Sequence, residues 1–380
     1  MKKILFKKIL IDCLTFFLIT LFSTSIIIWV FQAVNFLDIM IEDGRDYIVY
    51  INYSLLNFPK IISRVLPFVF FFSFFYVITK YELNNELIIF WNFGVNKLEF
   101  INFFFKFSIL LTIIQLFLVA IIVPKSQDKA RSFLRTSSVN IFENFIKEKK
   151  FNDTIKGVTI YSESKNDDGS LNNIYLKKEN NLNNFQITYA KKGIISNNNN
   201  NPILKLYEGE TISVINNRTT RFKFSESDFN FKNLETNTTT YIKTQEVGTD
   251  NLLRCFMRLG DIQLFNLDTE NIILTNCVRK NLSTVIKELY KRLIIPFYLP
   301  ILMLIILFLI LRSKENSNYS NYRMIIFFFG MITLVSSEMS LKFIKTDIIE
   351  NLKIIIIPLI IILILYTIFY TFLFHERQKR

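Results

Sequence analysis

Apolar residues gather along this chain into six long runs, near 9–33, 61–79, 100–123, 293–311, 324–341 and 353–374. They split three and three around a polar middle. Each run has about the 20 residues a helix needs to cross a hydrocarbon core roughly 30 Å thick. A helix is also the natural crossing conformation, because lipid offers backbone groups no hydrogen-bond partner. The pattern therefore predicts six membrane helices around one sizeable extramembrane insertion. From about residue 150 the apolar period changes to two, and 158–162, 174–177, 185–190, 203–207, 211–215 and 220–224 read as strands. Asn166-Asp-Asp-Gly-Ser, Asn180-Asn181 and Glu208-Gly-Glu read as the turns between them, and Asn197–Asn201 as a polar loop tip. Short strands at this spacing argue for an all-β sandwich, barrel or jelly roll. The predicted organisation is helices one to three over 1–124, a β domain over 125–285 that begins with a charged helical stalk at 125–145, and helices four to six over 286–380. Residues 245–280 give no clear pattern, and 281–292 read as a helix feeding span four.

Two connections stand out. Residues 34–60 are polar at their centre (Asp38, Glu42, Asp43, Gly44, Arg45, Asp46), with Pro59 breaking the chain before span two and Pro67 placed to kink it. Residues 80–99 read as a short amphipathic helix. Leu83, Leu87, Phe90 and Trp91 fall at helical spacing, Asn84 and Asn85 supply a start, and Gly94 supplies a stop.

Charge orients the spans. The 380-residue chain carries a net +13, with 51% hydrophobic residues and mean hydropathy +0.31. A nucleic-acid partner would need that excess clustered on a soluble face. Instead much of it flanks span ends: Lys2, Lys3, Lys7 and Lys8; Lys80, Lys97 and Lys106; Arg312, Lys314 and Arg323; Arg377, Lys379 and Arg380. These four groups alternate with connections that carry fewer cations (Arg45, Lys60; Lys342, Lys345, Lys353), so all four belong to one side, which the positive-inside rule makes cytoplasmic. Both termini are then cytoplasmic and the middle domain lies outside the inner membrane. Span one is longer than a signal-peptide core, and no small-residue cleavage site follows it, so it is expected to stay. The 41 Phe and the many Ile, Asn and Lys indicate compositional drift that blurs motifs.

Catalytic chemistry is poorly supplied. The one histidine, His375, lies almost at the end of the chain, too far from any candidate site to serve a Ser-His-Asp triad or a His/Cys zinc site. Neither a phosphate-binding G-x-x-x-x-G-K-[ST] loop nor G-x-G-x-x-G occurs, and Asp167-Asp168 sits in a turn-like context. The chain reads as a non-enzyme that holds neither metal nor cofactor. Cys13 falls in span one; Cys255 and Cys277 fall in the exported region, where they either pair or remain two free thiols.

The residues that carry functional meaning are few. Glu86 opens the 80–99 helix, where an acid suits both the helix start and a basic partner. Such a helix can seat in a cytoplasmic partner and pass its movement to the spans, or it can simply link them. Arg45, Lys60 and Arg64 lie at the outer ends of spans one and two, where cations can meet lipid phosphates or anchor at the interface. Glu338 lies within span five with Lys342 four residues on, either a functional intramembrane acid or a self-neutralising pair. Asp12 in span one is close enough to the cytoplasmic surface to need no special role.

Asn85-Glu86-Leu87-Ile88-Ile89-Phe90-Trp91-Asn92-Phe93-Gly94-Val95-Asn96 resembles the D-S-E-L-x-x-[LM]-x-A-x-G-[VA]-S stretch of the lipopolysaccharide-export permeases LptF and LptG. Leu56-Asn-Phe-Pro59 with Ile62-Ser-Arg-Val-Leu-Pro67 is similar to that family's approach to span two. Gly157–Tyr161, Asp168–Tyr175, Tyr189–Ile195 and Leu204–Gly209 are similar to its first periplasmic strands. Glu288-Leu-Tyr-Lys-Arg292-Leu-Ile-Ile-Pro296 resembles its E-L-x-x-R-x-x-x-P start of span four. No one motif is strong; their order over nearly the whole chain is. Trp29–Asp38 looks more like LptF than LptG. The resemblance implies a polytopic α-helical membrane protein, six transmembrane helices in a 3+3 layout, with an inserted periplasmic jelly roll. It implies a heterodimer with an LptG-like permease on an LptB-like ATPase dimer that binds the ATP and Mg, joined by an LptC-like membrane-anchored bridge protein. The implied task is ATP-driven extraction of lipopolysaccharide from the inner membrane and its passage along the jelly roll. Glu86, Leu87, Phe90, Trp91 and Gly94 then fall on the ATPase-coupling helix, and Arg45, Lys60, Arg64, Glu338 and Lys342 are the substrate-contact candidates. The chain departs from the family at Trp91-Asn92-Phe93, where smaller residues are usual. A membrane sensor with a periplasmic ligand-binding β domain is the competing reading, although no cytoplasmic output domain is evident. A mechanotransmission permease is a third, but it usually has fewer spans and a differently placed soluble domain.

Overall fold

The computed structural model describes residues 2–41, 47–136, 148–155, 157–166, 169–181, 184–198, 201–215, 218–230, 243–259, 277, 281–345 and 348–378. Six helical stretches have the length and composition to cross a membrane: Lys2–Leu37, Tyr47–Leu83, Lys97–Phe133, Leu282–Leu311, Tyr319–Phe343 and Asn351–Leu373. The chain divides into two compact units, one of Met1–Val30, Asn57–Asp128 and Ile242–Arg380, the other of Phe31–Leu56 and Lys129–Tyr241. The described residues 243–259, 277 and 281–285, set within the β domain by the sequence pattern, thus belong to the helical unit and include the helix Thr249–Leu259.

The helical unit is built around span four. Of its apolar window 78% is buried, against 17% for spans one and six, so span four is the hub and the others keep broad apolar faces outward. Aromatic volume fills the centre: Phe70, Phe71, Phe74, Phe100, Phe104 and Phe369 are all fully buried. Gly330 lets span five lie against span two, because a Cβ there would come within 2.1 Å of the Phe71 ring. Polar ties cross this apolar interior. Thr20 and Ser73 hydroxyls meet at 3.0 Å, Gln115 Nε2 donates to the Ser63 carbonyl at 2.8 Å, and Tyr366 donates to Asn102 Oδ1 at 3.0 Å. Pro59 sits in the first turn of the helix Phe58–Leu83, where its missing N–H costs nothing, and the helix runs on through Pro67.

The β unit holds one six-stranded antiparallel sheet in the order β1-β2-β3-β4-β5-β6: Phe151–Ile155, Val158–Lys165, Ser170–Asn181, Asn184–Asn198, Asn201–Ile215 and Arg218–Asn230. Consecutive strands are neighbours, so the described strands form a meander; the Greek-key crossovers of a jelly roll do not occur among them. One face carries the aliphatic core, with Val158, Ile160, Leu171, Ile174, Leu176, Ala190, Leu204 and Leu206 packed together and flanked by Phe224 and Phe229.

A single row of residues bends this sheet. Register places Glu163, Asn173, Lys191 and Glu208 opposite one another on β2 to β5. Asn173 and Glu208 both have φ of 48°, a left-handed conformation that interrupts the pleat. Residues three apart in an unbroken strand face opposite ways, yet Leu171 and Ile174 are both fully buried in the core. The interruption at Asn173 resets the alternation between them. Gly193, three residues after the buried Ala190, also faces inward, where a Cβ would approach Ile174, Leu204 and Leu206. Glu208-Gly-Glu210 is accordingly no turn: 203–207 and 211–215 belong to one strand, β5, that passes through the bend.

Candidate functional site

The segment between spans two and three forms its helix over Glu86–Asn92. Asn85 starts it from a left-handed conformation at φ 61°, and Gly94 at φ 71° turns the chain out of it; an Asn and a Gly are the residues that adopt such angles at least cost. Leu87 is fully buried and Phe90 nearly so. Phe90 lies 5.6 Å from the Phe100 ring and 6.0 Å from Phe6, and half-buried Trp91 lies 5.8 Å from Phe100. Leu87 and Phe90 therefore anchor the helix to its own chain. The opposite face is open, with Ile88, Ile89 and Phe93 exposed and Asn92 beside them. Glu86, half-buried, accepts from Asn84 Nδ2 at 3.2 Å.

Two further segments brace this helix. The backbone N–H of Lys314 donates to Glu82 Oε1 at 3.0 Å and its ammonium donates to the Leu83 carbonyl at 2.8 Å. Lys2 pairs with Glu99 at 3.0 Å, and the Tyr81 hydroxyl donates to Asp12. The amino-terminal residues, the 80–99 connection and the 312–318 connection thus share one end of the helical unit, as alternating spans require.

A second polar cluster forms at the start of span four. Arg292, only 1% exposed, is the largest fully buried side chain among the described residues. Its Nε donates to Glu288 at 3.0 Å, Nη1 to the Val247 carbonyl at 2.8 Å and to Thr249 Oγ1 at 3.0 Å, and Nη2 to the Gln245 carbonyl at 2.9 Å. Thr249 in turn donates to the carbonyl of Ala120, within a π turn of span three at Leu118–Ile122. Lys60 Nζ donates to Gln245 Oε1 at 3.4 Å. One guanidinium therefore fastens residues 245–249 to span four. Beside it, Leu252 and Cys255 of the helix Thr249–Leu259 pack on Val285 and Leu289. Cys255 and Cys277 form a disulfide with Cα atoms 5.8 Å apart, so of the two alternatives open in the sequence the structure takes the paired one.

Of the other candidate residues, Arg64 is exposed on span two, and Glu338 and Lys342 are both exposed. Among the described residues Glu338 and Lys342 form no ion pair, so the self-neutralising i, i+4 arrangement is not made. Arg45 lies outside the described residues. No group of three or more His, Cys, Asp or Glu is placed to hold a metal ion among the described residues. Sequence reasoning missed the Arg292 cluster as a site. Its available signal was the Glu288/Arg292 i, i+4 pair just before an apolar run, which read only as a motif.

Comparison with known proteins agrees with this geometry. The family model described as lipopolysaccharide export system permease LptF/LptG matches residues 7–373. An uncharacterized protein of Rickettsia prowazekii (strain Madrid E) is 25% identical over 207 residues, which cover 54% of this chain and 57% of that protein. The match thus spans little more than half the length of that relative.

Proposed function

Because the chain belongs to the LptF/LptG family of lipopolysaccharide export system permeases, we propose that it is the membrane subunit of an ATP-driven exporter, closer to LptF than to LptG. In this reading it pairs with an LptG-like permease on an LptB-like ATPase dimer and meets an LptC-like bridge protein. Lipopolysaccharide leaves the inner membrane between the two permeases and moves on along the β unit. The helix Glu86–Asn92 carries the proposal. It is held to the spans on one side by Leu87 and Phe90 and open on the other through Ile88, Ile89 and Phe93, the arrangement needed to pass a push from a docked ATPase to spans two and three. Of the coupling residues, Glu86 and Trp91 are partly accessible to that partner, Leu87 and Phe90 transmit inward, and Gly94 sets the exit angle. The same reading puts the Glu86 end in the cytoplasm and the Cys255–Cys277 end in the periplasm. Disulfides persist in such an oxidising compartment. Arg64, exposed on span two, is the foremost candidate for the phosphates of the cargo, with Arg45 and Lys342 beside it in that role; Lys60 is engaged by Gln245.

Photocrosslinking in cells tests this. A p-benzoylphenylalanine in place of Ile88 is expected to capture the ATPase, and one in place of Phe224, which borders the aliphatic core of the sheet, to capture lipopolysaccharide. An adduct at 88 without lipid at 224 would keep the transporter and reopen its cargo. Neither adduct from a folded chain would sink the proposal.

A further inference from the structure

The sheet's other face carries a different surface. Register sets Phe151, Tyr161, Tyr175 and Tyr189 in one row across β1 to β4, pointing away from the aliphatic core. Neighbouring strands lie about 4.8 Å apart, so the four rings make a continuous strip. Phe151 lies 4.9 Å from Tyr161 at an interplanar angle of 36°, and 6.3 Å from Tyr175 at 87°, so ring faces meet at a corner rather than a flat stack. These rings, with Glu163 and Asn173 from the bend row, line a cavity of about 420 Å³. Phe151 is 65% and Tyr189 46% exposed; the strip is open to a ligand.

The charge of this cavity is out of keeping with the chain. In a protein of net +13, no Lys or Arg among the described residues lines it. Four carboxylates on the sheet have a cation beside them: Glu179 has Lys177, Glu208 has Lys191, Glu210 has Arg221 and Glu226 has Lys205; Asp153 and Asp228 form no ion pair among the described residues. Glu163 has no basic partner among the described residues. The Asn173 amide donates to its Oε2 at 2.5 Å and holds the carboxylate beside the rings. Aromatic faces carry the negative end of the ring quadrupole and attract cations. Four such rings and the Glu163 carboxylate disfavour a phosphate. We infer that this cavity is a binding site for an alkylammonium group, held over the Phe151, Tyr161 and Tyr175 rings with Glu163 as its counter-charge. The inference stands independently of the transport reading.

The test is calorimetric titration of the full-length chain in uncharged detergent micelles with choline, with its neutral isostere 3,3-dimethylbutan-1-ol, and with maltose. Choline is expected to bind and the isostere to bind about two- to fivefold more weakly, the difference that an exposed cation–π site gives. Glu163→Gln, which keeps the size and the Asn173 contact, should weaken choline by about tenfold. Tyr175→Leu should weaken it similarly, whereas Tyr175→Phe should leave it nearly unchanged. Should either weakened variant misfold by circular dichroism, the other carries the test. No choline binding, equal binding of the isostere, or binding of maltose alone would overturn the inference. Competition by lipopolysaccharide bearing ethanolamine substituents, and not by lipopolysaccharide lacking them, would assign the cation to the cargo; no competition by either would assign it to a separate amine.

Discussion

Arg292 shows how much structure one residue can set. Its guanidinium offers five N–H donors in a rigid fork, and four of its bonds reach Glu288, Gln245, Val247 and Thr249. Removing it leaves a carboxylate and two carbonyls without their donor, and breaking such a buried pair costs about 3–5 kcal/mol. Arg292→Ala is therefore expected to lower the thermal midpoint of the purified chain sharply. Arg292→Lys should recover only part, because an ammonium cannot reach both carbonyls and Glu288 at once. A midpoint unchanged in Arg292→Ala would show that residues 245–249 are held by other means. The neighbouring disulfide makes a separate prediction. Cys13 is buried and the other two cysteines are paired, so a maleimide should label no thiol in the native oxidised chain, one in the denatured unreduced chain and three once it is denatured and reduced. Closing a loop between residues 22 apart stabilises by about 3 kcal/mol, so reduction should lower the midpoint as well. Neither feature was legible beforehand for the same reason. Sequence shows that Glu288 and Arg292 are one helical turn apart and that two cysteines exist. It does not show which distant backbone folds onto them.

Among the elements, the short helix between spans two and three was legible in its ends and not in its facing. Asn85 and Gly94 mark start and stop because each adopts a left-handed angle there. The apolar spacing of Leu87 and Phe90 identified a face, but periodicity alone cannot say whether that face meets a partner or the chain's own Phe6 and Phe100; here it meets the chain. The open side is then Ile88, Ile89 and Phe93, the side the proposed coupling role gives to the ATPase, and the two sides should fail differently. Ile88→Asp with Ile89→Asp should uncouple ATP hydrolysis from lipid release and loosen copurification of the ATPase, with the thermal midpoint of the subunit little changed. Phe90→Ala removes a buried ring at a typical cost of about 3–5 kcal/mol, and should lower both the midpoint and transport. Equal loss of stability in both variants would mean that the open face is packed in the assembled protein. In the sheet, β5 was read as two strands because Glu208-Gly-Glu resembles a turn. The misreading has a physical source, since the left-handed angle at Glu208 is what a turn would use. The ladder on both sides, from Ile194↔Lys205 through Ala190↔Gly209 and on to Gln186↔Ser213, shows the strand continuing.

For the molecule as a whole, the spans were the most legible feature because bilayer thickness dictates their length regardless of which apolar residue fills them. Phe-rich drift changes the filling and leaves the length alone. The boundary of the β unit was less legible, since 242–285 mix charge and apolar residues without a clear period, and what joins them to the helical unit is a three-dimensional knot around Arg292. The cation distribution predicts a sidedness, and that prediction has a direct test. The Asn84 end of the helical unit is expected in the cytoplasm, and the Thr284 end, with the sheet, outside. Asn84→Cys, Thr284→Cys and Lys223→Cys place reporter thiols at exposed positions, against a background whose own thiols are buried or paired. In cells with a permeabilised outer membrane, a membrane-impermeant maleimide should label positions 284 and 223, and should reach position 84 only after lysis. Labelling of 84 in intact cells would invert the topology. The helix at Glu86 would then face the periplasm, beyond reach of any ATPase, and the coupling role would fall with it. Agreement would put the helix Glu86–Asn92 on the side where ATP is available, as the proposed coupling role requires.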